Sequence, residues 1–312
     1  MLLKKNIPVN YVVGKIKNEL IMVAAYAIII AMFHQFFPSL RISIPIAVPT
    51  ILATIISLLL AFRSNQAYDR WWEARGIWGA IVNDSRSLAR EILTFLDSGE
   101  SASQELEGFK KRFINRQIAW CYSLSQSLRG QNSYIRSKDL LVDEEIKFTR
   151  RFTNMPNSLL KLHGLDLRLA YNNGWLNEYQ QVQIDSTLNR LCDSMGKCER
   201  IKNTVFPATY SLYIHFCLYL FIALLPFGLI EYFGMFEVPL IIAIAAAFLL
   251  VEKMAIHLQD PFENKPTDTP TTAISQTIER DLKQMLNDNQ HDDILHRKEQ
   301  QAREEANLYY IL

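Results

Sequence analysis

Residues 50–79 read TILATIISLLLAFRSNQAYDRWWEARGIWG, and two kinds of helix meet inside that one stretch. Thr50 to Phe62 is oily enough to sit in lipid. Beyond it, Arg63, Asp69, Arg70, Glu73 and Arg75 are interleaved with Tyr68, Trp71, Trp72 and Trp78. No proline interrupts the run, although Pro45 and Pro49 stand just before it. Proline suits the start of a helix and breaks its interior, so a helix beginning near Pro49 is expected to leave the membrane and continue into water without a break. From Thr50 to Leu96 such a helix is about 70 Å long at ~1.5 Å per residue. The hydrocarbon core is only ~30 Å thick, so half of the helix has to stand in the aqueous phase.

Outward from this stretch, apolar residues gather in four blocks. The first is Leu20–Phe37, followed by a short turn at Pro38–Arg41, and the second is Ile42–Phe62. The third is Tyr210–Phe233, interrupted by Pro226 and Gly228, and the fourth runs from Val238 to about Leu250 and continues helically through His257. Each is long enough, alone or with its extension, to approach the ~20 residues that a spanning helix needs. Lys4, Lys5, Lys15 and Lys17 precede the first block, which puts the N-terminus on the cytoplasmic side; the connector after the third block holds Glu231 and Glu237 but no Lys or Arg, as an external loop does. Four spans return the C-terminus to the cytoplasm. No small-residue cleavage site follows the first block, so it reads as a retained span rather than a signal peptide. The expected organisation is a single all-α domain over 1–286. It comprises a membrane hairpin at 20–62, cytosolic helices at 63–209, a second membrane hairpin at 210–258 and a peripheral linker and helix at 259–286. A polar tail occupies 287–312.

The aqueous part is read as amphipathic helices. Tyr68, Trp71/Trp72, Arg75, Trp78, Val82, Ser85, Leu88, Ile92 and Phe95 recur every three or four positions, until Asp97-Ser98-Gly99 stops the pattern. Further helices are expected over Leu106–Leu128, Leu140–Phe152, from Met155-Pro156-Asn157 to Asn172-Asn173-Gly174, and over Asn177–Lys202. The last carries a stripe of Ile184, Leu188, Leu191, Met195 and Cys198, which is the pattern of a helix packed on helices. Asp260-Pro261-Phe262 ends the fourth block, a Pro/Thr-rich linker reaches Thr272, and a short helix covers Ala273–Leu286.

Composition excludes several classes of function. With 33 Lys+Arg against 32 Asp+Glu, the net charge is +1, and no basic stripe with interleaved aromatics marks a nucleic-acid face. Cys121, Cys192, Cys198 and Cys217 form no CxxC pair and have no histidine at zinc-site spacing, so reduced thiols are expected. There is no nucleophile elbow, GxGxxG, phosphate loop or HExxH, and neither a cofactor nor a metal site is expected. Asp69 and Glu73 lie one helical turn apart, a spacing that suits a metal pair or a proton relay. Arg70 and Arg75 flank them, and salt bridges that fix neighbouring helices are the plainer reading.

Thr54, Leu58 and Phe62 fall at i, i+4 and i+8 on one face of the second block, about 6 Å apart along the axis. Taken alone, that spacing favours plain lipid contact or core packing over a functional role. Four helices of one chain cannot enclose a water-filled path around this helix. Several copies about a symmetry axis can, and each residue then becomes a ring. Apolar rings gate ions by dewetting.

The run Ala61-Phe62-Arg63-Ser64-Asn65-Gln66-Ala67-Tyr68-Asp69-Arg70-Trp71-Trp72-Glu73-Ala74-Arg75, ending Ile77-Trp78-Gly79, resembles the signature of the bestrophin family, especially its bacterial and chloroplast members. Gly196-Lys197-Cys198-Glu199-Arg200, Leu224-Leu225-Pro226-Phe227, Asp260-Pro261-Phe262 and Thr277-Ile278-Glu279-Arg280 match in order and spacing. The resemblance covers roughly residues 10–286. It implies an integral membrane homopentamer of the inner or plasma membrane, with one axial pore that conducts small monovalent ions. It also implies a pore neck at Thr54, Leu58 and Phe62. The family usually places apolar or aromatic side chains at all three levels, so Thr54 departs from the pattern and its ring is expected to be wetter. A second, cytosolic constriction is implied at Tyr179, off the buried stripe of its helix. Arg63, Asn65, Tyr68, Arg70, Trp72, Glu73, Arg75, Trp78, Glu199, Arg200, Asp260, Pro261 and Phe262 are the structural signature. Eukaryotic members bind calcium through a dense acidic run after the Asp-Pro-Phe element. Here Asp260, Glu263 and Asp268 are separated by Lys265, Pro266 and threonines, which serves calcium's six to eight oxygen ligands poorly, and no calcium clasp is expected.

The neck carries no charged ring, so charge selection falls to vestibules, helix ends or aromatic edges such as that of Phe62. The resemblance favours an anion (chloride) channel, with a monovalent cation (sodium) channel as the alternative. Outside this class stand a membrane-anchored enzyme or metal-dependent transporter using Asp69, Glu73 and His257, and a scaffold that docks partners through the chain after Pro261.

Overall fold

The computed structural model describes residues 14–37, 42–97, 103–204, 207–265 and 267–287. These residues are all-α, without a strand. In chain order the helices are α1 (Lys17–Phe36), α2 (Ala47–Phe95), α3 (Ser103–Leu128), α4 (Asp143–Thr149), α5 (Met155–Asn172), α6 (Glu178–Asn203), α7 (Ala208–Phe233), α8 (Glu237–Leu258) and α9 (Thr271–Met285). Short 3-10 turns lie at Ser137–Asp139 and Gly234–Phe236. The turn read at Pro38–Arg41, the stop at Ser98-Gly99, Lys4 and Lys5, and the tail beyond Asn287 lie outside the described residues.

Among the described residues four helices are long and apolar enough to cross a membrane: α1, α2, residues Thr209–Phe233 of α7, and α8. The chain divides into two compact units. One comprises Lys4–Trp71 and Thr204–Asp260; the other comprises Trp72–Asn203 and the chain from Pro261 onward. Helix α2 is continuous over 49 residues and contributes its first half to one unit and its second half to the other. It starts at Ala47, slightly before the expected Pro49, because Pro49 fits within the first turn, where no intrahelical N–H is required.

In the apolar unit, Ile56, Leu60, Ile214, Leu218, Phe221, Leu225, Ile241, Ala245 and Leu249 are buried together with Val23 and Ala27 of α1. Ala27 of α1 and Ala245 of α8 are both fully buried, small residues that let neighbouring helices pack closely. The expected interruption of the third block is not found: α7 runs through Pro226 and Gly228 to Phe233. Proline in a helix interior deprives a carbonyl of its N–H partner and loosens the turn before it. At that turn the Tyr26 hydroxyl donates to the Ala223 carbonyl at 2.6 Å, and the Ile44 N–H donates to the Phe227 carbonyl at 3.1 Å. Gly228 has a separate reason. A Cβ built there would stand 2.8 Å from Pro49 Cγ, so the first turn of α2 rests directly on the α7 backbone.

The other unit buries Trp78, Ile81, Leu88 and Ile92 of α2 with Phe113, Ile118 and Trp120 of α3, Leu159 and Leu167 of α5, and Ile184, Leu188 and Leu191 of α6. The expected α6 stripe is buried throughout, including Met195 and Cys198. Reciprocal bonds open α6: the Gln180 N–H donates to Asn177 Oδ1 at 2.9 Å, and the Asn177 N–H donates to Gln180 Oε1 at 3.0 Å. Asn154 caps α5 by accepting from the Asn157 N–H at 3.0 Å, with Pro156 in the first turn.

The helix expected over Leu140–Phe152 is only Asp143–Thr149. Glu145, buried in its first turn, is held by Arg116 Nε at 2.7 Å, and Arg116 also pairs with Asp166 at 2.7 Å. Beyond Thr149 the chain tightens, the Phe152 N–H donating to the Thr149 carbonyl at 3.0 Å, so that Asn154 reaches its capping position. His163 is fully buried nearby, its ring centroid 4.2 Å from that of Phe113. Burial, with the Arg116 charge beside it, holds its imidazole well below its ordinary pKa and therefore neutral.

The α7–α2 contact generates a sharp prediction. Gly228→Ala should destabilise the protein by about 1–3 kcal/mol, the usual cost of overpacking, and Pro49→Ala should recover most of that loss in the double variant. Thermal unfolding of the detergent-solubilised single and double variants measures the coupling; additive losses would mean that the ring and the glycine do not oppose one another.

Candidate functional site

In the first half of α2 the helix is apolar on every side, so burial rather than composition distinguishes its faces. Ile56 and Leu60 are 0% and 2% exposed and Arg63 is 3% exposed. On the other side Ile51, Ile55, Leu58 and Phe62 are 60%, 47%, 58% and 55% exposed within the chain, with Thr54 exposed among them. These residues line one strip along the helix. Thr54 Oγ1 donates to the Thr50 carbonyl at 2.9 Å, and Thr50 Oγ1 donates to the Ile46 carbonyl at 2.8 Å. The Thr54 hydroxyl proton is thus spent on the helix backbone, which leaves its methyl group and oxygen lone pairs for whatever faces the strip.

Behind the strip is a charged anchor. Arg63 Nη2 donates to Ser211 Oγ of α7 at 3.1 Å, and Arg63 Nη1 lies 3.8 Å from Glu252 Oε1 of α8. Glu252 is fully buried, and the same Oε1 accepts from His215 Nδ1 at 2.6 Å. The Tyr210 hydroxyl donates to the Leu59 carbonyl at 3.4 Å, and Lys253 pairs with Glu19 of α1 at 2.7 Å. Sequence reasoning missed Glu252, His215 and Ser211. A carboxylate inside an otherwise apolar helix was a readable signal, since such residues are retained only with a partner or a task.

The charged-aromatic half of α2 proves to be a set of anchors. Arg70 Nη1 donates to the Thr204 carbonyl at 2.9 Å. Glu73 pairs with Arg200 of α6 at 2.6 Å, both partly solvated. Glu199 accepts from Asn154 Nδ2 at 2.7 Å. Trp78, Pro261 and Phe262 are buried. Asn65 and Arg75 are exposed within the chain, as are Tyr68 (50%) and Trp72 (61%). The buried face runs through Ala67, Ala74, Trp78, Ile81 and Ser85, where small residues let neighbouring helices approach. Asp260 is half-buried, and Tyr179 of α6 is 87% exposed.

Among the described residues no group of three or more His, Cys, Asp or Glu could hold a metal. Asp69 and Glu73 are solvent-facing, and Glu73 is engaged by Arg200. After Pro261, Asp268 Oδ2 accepts from the Lys265 N–H at 2.9 Å, and Glu263 pairs with the Lys265 ammonium. The Cys198 thiol is pushed up to about 12, by burial first and then by Glu199 and Glu73, so it is unreactive at neutral pH.

Residues 7–284 match the family model for the bacterial/fungal bestrophin protein. The chain belongs to the bestrophin family. Among bestrophin relatives, a voltage-dependent anion channel-forming protein of a Nostoc species is 31% identical over 271 residues, 87% of each chain. The voltage-dependent anion channel-forming protein YneE of Escherichia coli is 30% identical over 274 residues, 88% of each. The crystal structure of a bacterial bestrophin homologue from Klebsiella pneumoniae superposes with a TM-score of 0.80 at 27% identity, covering 87% of this chain and 98% of that one. Bestrophin membership sets aside the enzyme reading of Asp69, Glu73 and His257.

The two kinds of anchor should respond differently to truncation. Glu252→Ala leaves the Arg63 guanidinium buried without its carboxylate and is expected to cost about 3–5 kcal/mol. Glu73→Ala opens a solvated pair and is expected to cost no more than about 1 kcal/mol. Comparison of unfolding midpoints for the two purified variants checks the ranking, and equal losses would contradict it.

Proposed function

We propose that this chain forms an anion channel, assembled as a symmetric homopentamer in the cell membrane, with the exposed strip of α2 lining the axial pore. The observation that carries this reading is the strip itself: one long unbroken helix turns Leu58 and Phe62 outward while its opposite face is packed and anchored through Arg63. A single chain leaves those side chains uncovered. Copies arranged about an axis would turn each into a ring, and a closed cyclic assembly needs no further surface. The relatives named as anion channel-forming proteins support the choice of ion class.

In this reading, both hairpins span the membrane, both termini face the cytoplasm, and the helices from α3 to α6 stand in the cytosol. Leu58 and Phe62 form the apolar levels of the neck, where a constriction without polar groups resists wetting. Thr54 is the less obstructive level, although its hydroxyl proton is held by the helix. Phe62 presents ring edges, which carry positive partial charge and suit a passing anion. Tyr179 is the candidate for a second constriction; its exposure within one chain is compatible with that role. Small monovalent anions, chloride foremost, are the permeant species. Asp268 and Glu263 already serve Lys265, so calcium gating through that segment is not part of the proposal.

Phe62→Ala and Leu58→Ala each remove a neck ring. Anion flux from proteoliposomes should rise about tenfold for each variant if the ring contributes about 1.4 kcal/mol to the barrier. Unchanged flux in both variants, with the oligomer intact, would remove α2 from the pore.

A further inference from the structure

We propose that His215 is a proton-sensing positioning residue for the neck, acting through Glu252 and Arg63 on Phe62. The inference rests on the channel reading for its consequence, but its structural basis is independent of it. Glu252 is 0% exposed and reaches both of its partners with one oxygen, Oε1: His215 Nδ1 at 2.6 Å and Arg63 Nη1 at 3.8 Å. Its other oxygen, Oε2, is buried with no hydrogen bond. One carboxylate charge therefore answers to whatever positive charge stands at two positions. Arg63 is itself 3% exposed and also donates to the neutral Ser211 hydroxyl at 3.1 Å. Phe62, next in the chain, is 55% exposed.

His215 lies in the second turn of α7, at the end that the channel reading places toward the cytoplasm. Its side chain is 45% exposed within the chain, against 0% for Glu252, which leaves it the more open of the two to protons from that side. Imidazole titrates near neutrality, whereas guanidinium does not. When His215 is neutral, Glu252 receives a hydrogen bond from it and keeps its charge for Arg63. When His215 gains a proton, the carboxylate faces two cations, and the imidazolium is the nearer. The attraction that fixes Arg63 is then divided, and the α2 turn carrying Phe62 is less firmly held. No atom is transferred except the proton taken from solvent.

Other titratable groups on the neighbouring helices flank the cluster. Glu19 of α1 and Lys253 of α8 pair with each other at 2.7 Å. Tyr219 of α7 stacks edge-on against His215 with centroids 4.9 Å apart, and Tyr210 of α7 donates to the Leu59 carbonyl. Glu19 lies within electrostatic reach of His215 but is itself held by Lys253. The one carboxylate bonded to His215 is also the one that faces Arg63, and that sharing is what makes the cluster a relay to the neck.

The test has two arms. In the first, chloride flux is measured in proteoliposomes at about pH 8 and about pH 5.5, on either side of the ordinary imidazole value of ~6.5. Wild-type flux is expected to rise several-fold at the lower pH, while His215→Asn, which keeps a donor but not the charge, stays near the alkaline wild-type level at both. A pH response that survives in His215→Asn, or no response in the wild type, overturns the proposal. The second arm does not depend on conduction. A nitroxide is placed on Phe62→Cys in a Cys192→Ser/Cys217→Ser background, with the buried Cys121 and Cys198 left in place, and its mobility is followed by electron paramagnetic resonance. Mobility should increase on acidification when His215 is present and not in His215→Asn. If that holds while no variant conducts, the relay stands and the channel reading fails; if mobility ignores both pH and His215, the relay fails whatever the flux.

Discussion

A guanidinium that is 3% exposed sits one residue after a phenyl ring that is 55% exposed, and the arrangement of α2 depends on that juxtaposition. Burying a cation in an apolar unit is tolerable only with an anion and hydrogen bonds in place. Glu252 and Ser211 supply them from α8 and α7. Once Arg63 is committed to that side, the rotation of the helix is fixed, and Leu58 and Phe62 have no choice but to face the other way. An apolar helix without such an anchor would have no reason to present one face rather than another. The pore proposal therefore rests as much on the buried side of α2 as on the exposed one.

The close approach of Pro49 to Gly228 sets the other end of the same helix. Two residues that usually weaken helices are here the contact point between two of them. Pro49 stands where the helix has no N–H to lose, and Gly228 stands where a methyl group would collide. Pro226, two residues earlier, loosens the turn whose Ala223 carbonyl takes the Tyr26 hydroxyl. Local rules about proline and glycine were satisfied, but through tertiary contacts that no local rule contains.

Much of the architecture was legible because long helices leave strong signals. The continuity of α2 followed from the absence of proline between Thr50 and Leu96, and the α6 stripe followed from its spacing. The short α4 was overestimated because the chain tightens after Thr149 and brings Asn154 to its capping position on the next helix. Which face of the second half of α2 is covered within the chain was not legible from periodicity, because an alanine stripe recurs beside the aromatic one at the same helical spacing. The strip at Thr54, Leu58 and Phe62 had the opposite difficulty. Its spacing was visible, but only the family resemblance distinguished it from lipid contact, and only the fold revealed Glu252 and His215 behind it. Glu252 was visible as an isolated charge in an oily block; what it was for depended on Arg63, nearly two hundred residues away.

The central claim is that the exposed strip of α2 encloses a path for anions. It is tested most directly by the reversal potential of the purified protein in a planar bilayer separating asymmetric sodium chloride solutions. The account predicts a current that reverses close to the Nernst potential of chloride. Reversal close to that of sodium would contradict anion conduction, and the absence of any current above the bare bilayer would contradict the pore itself.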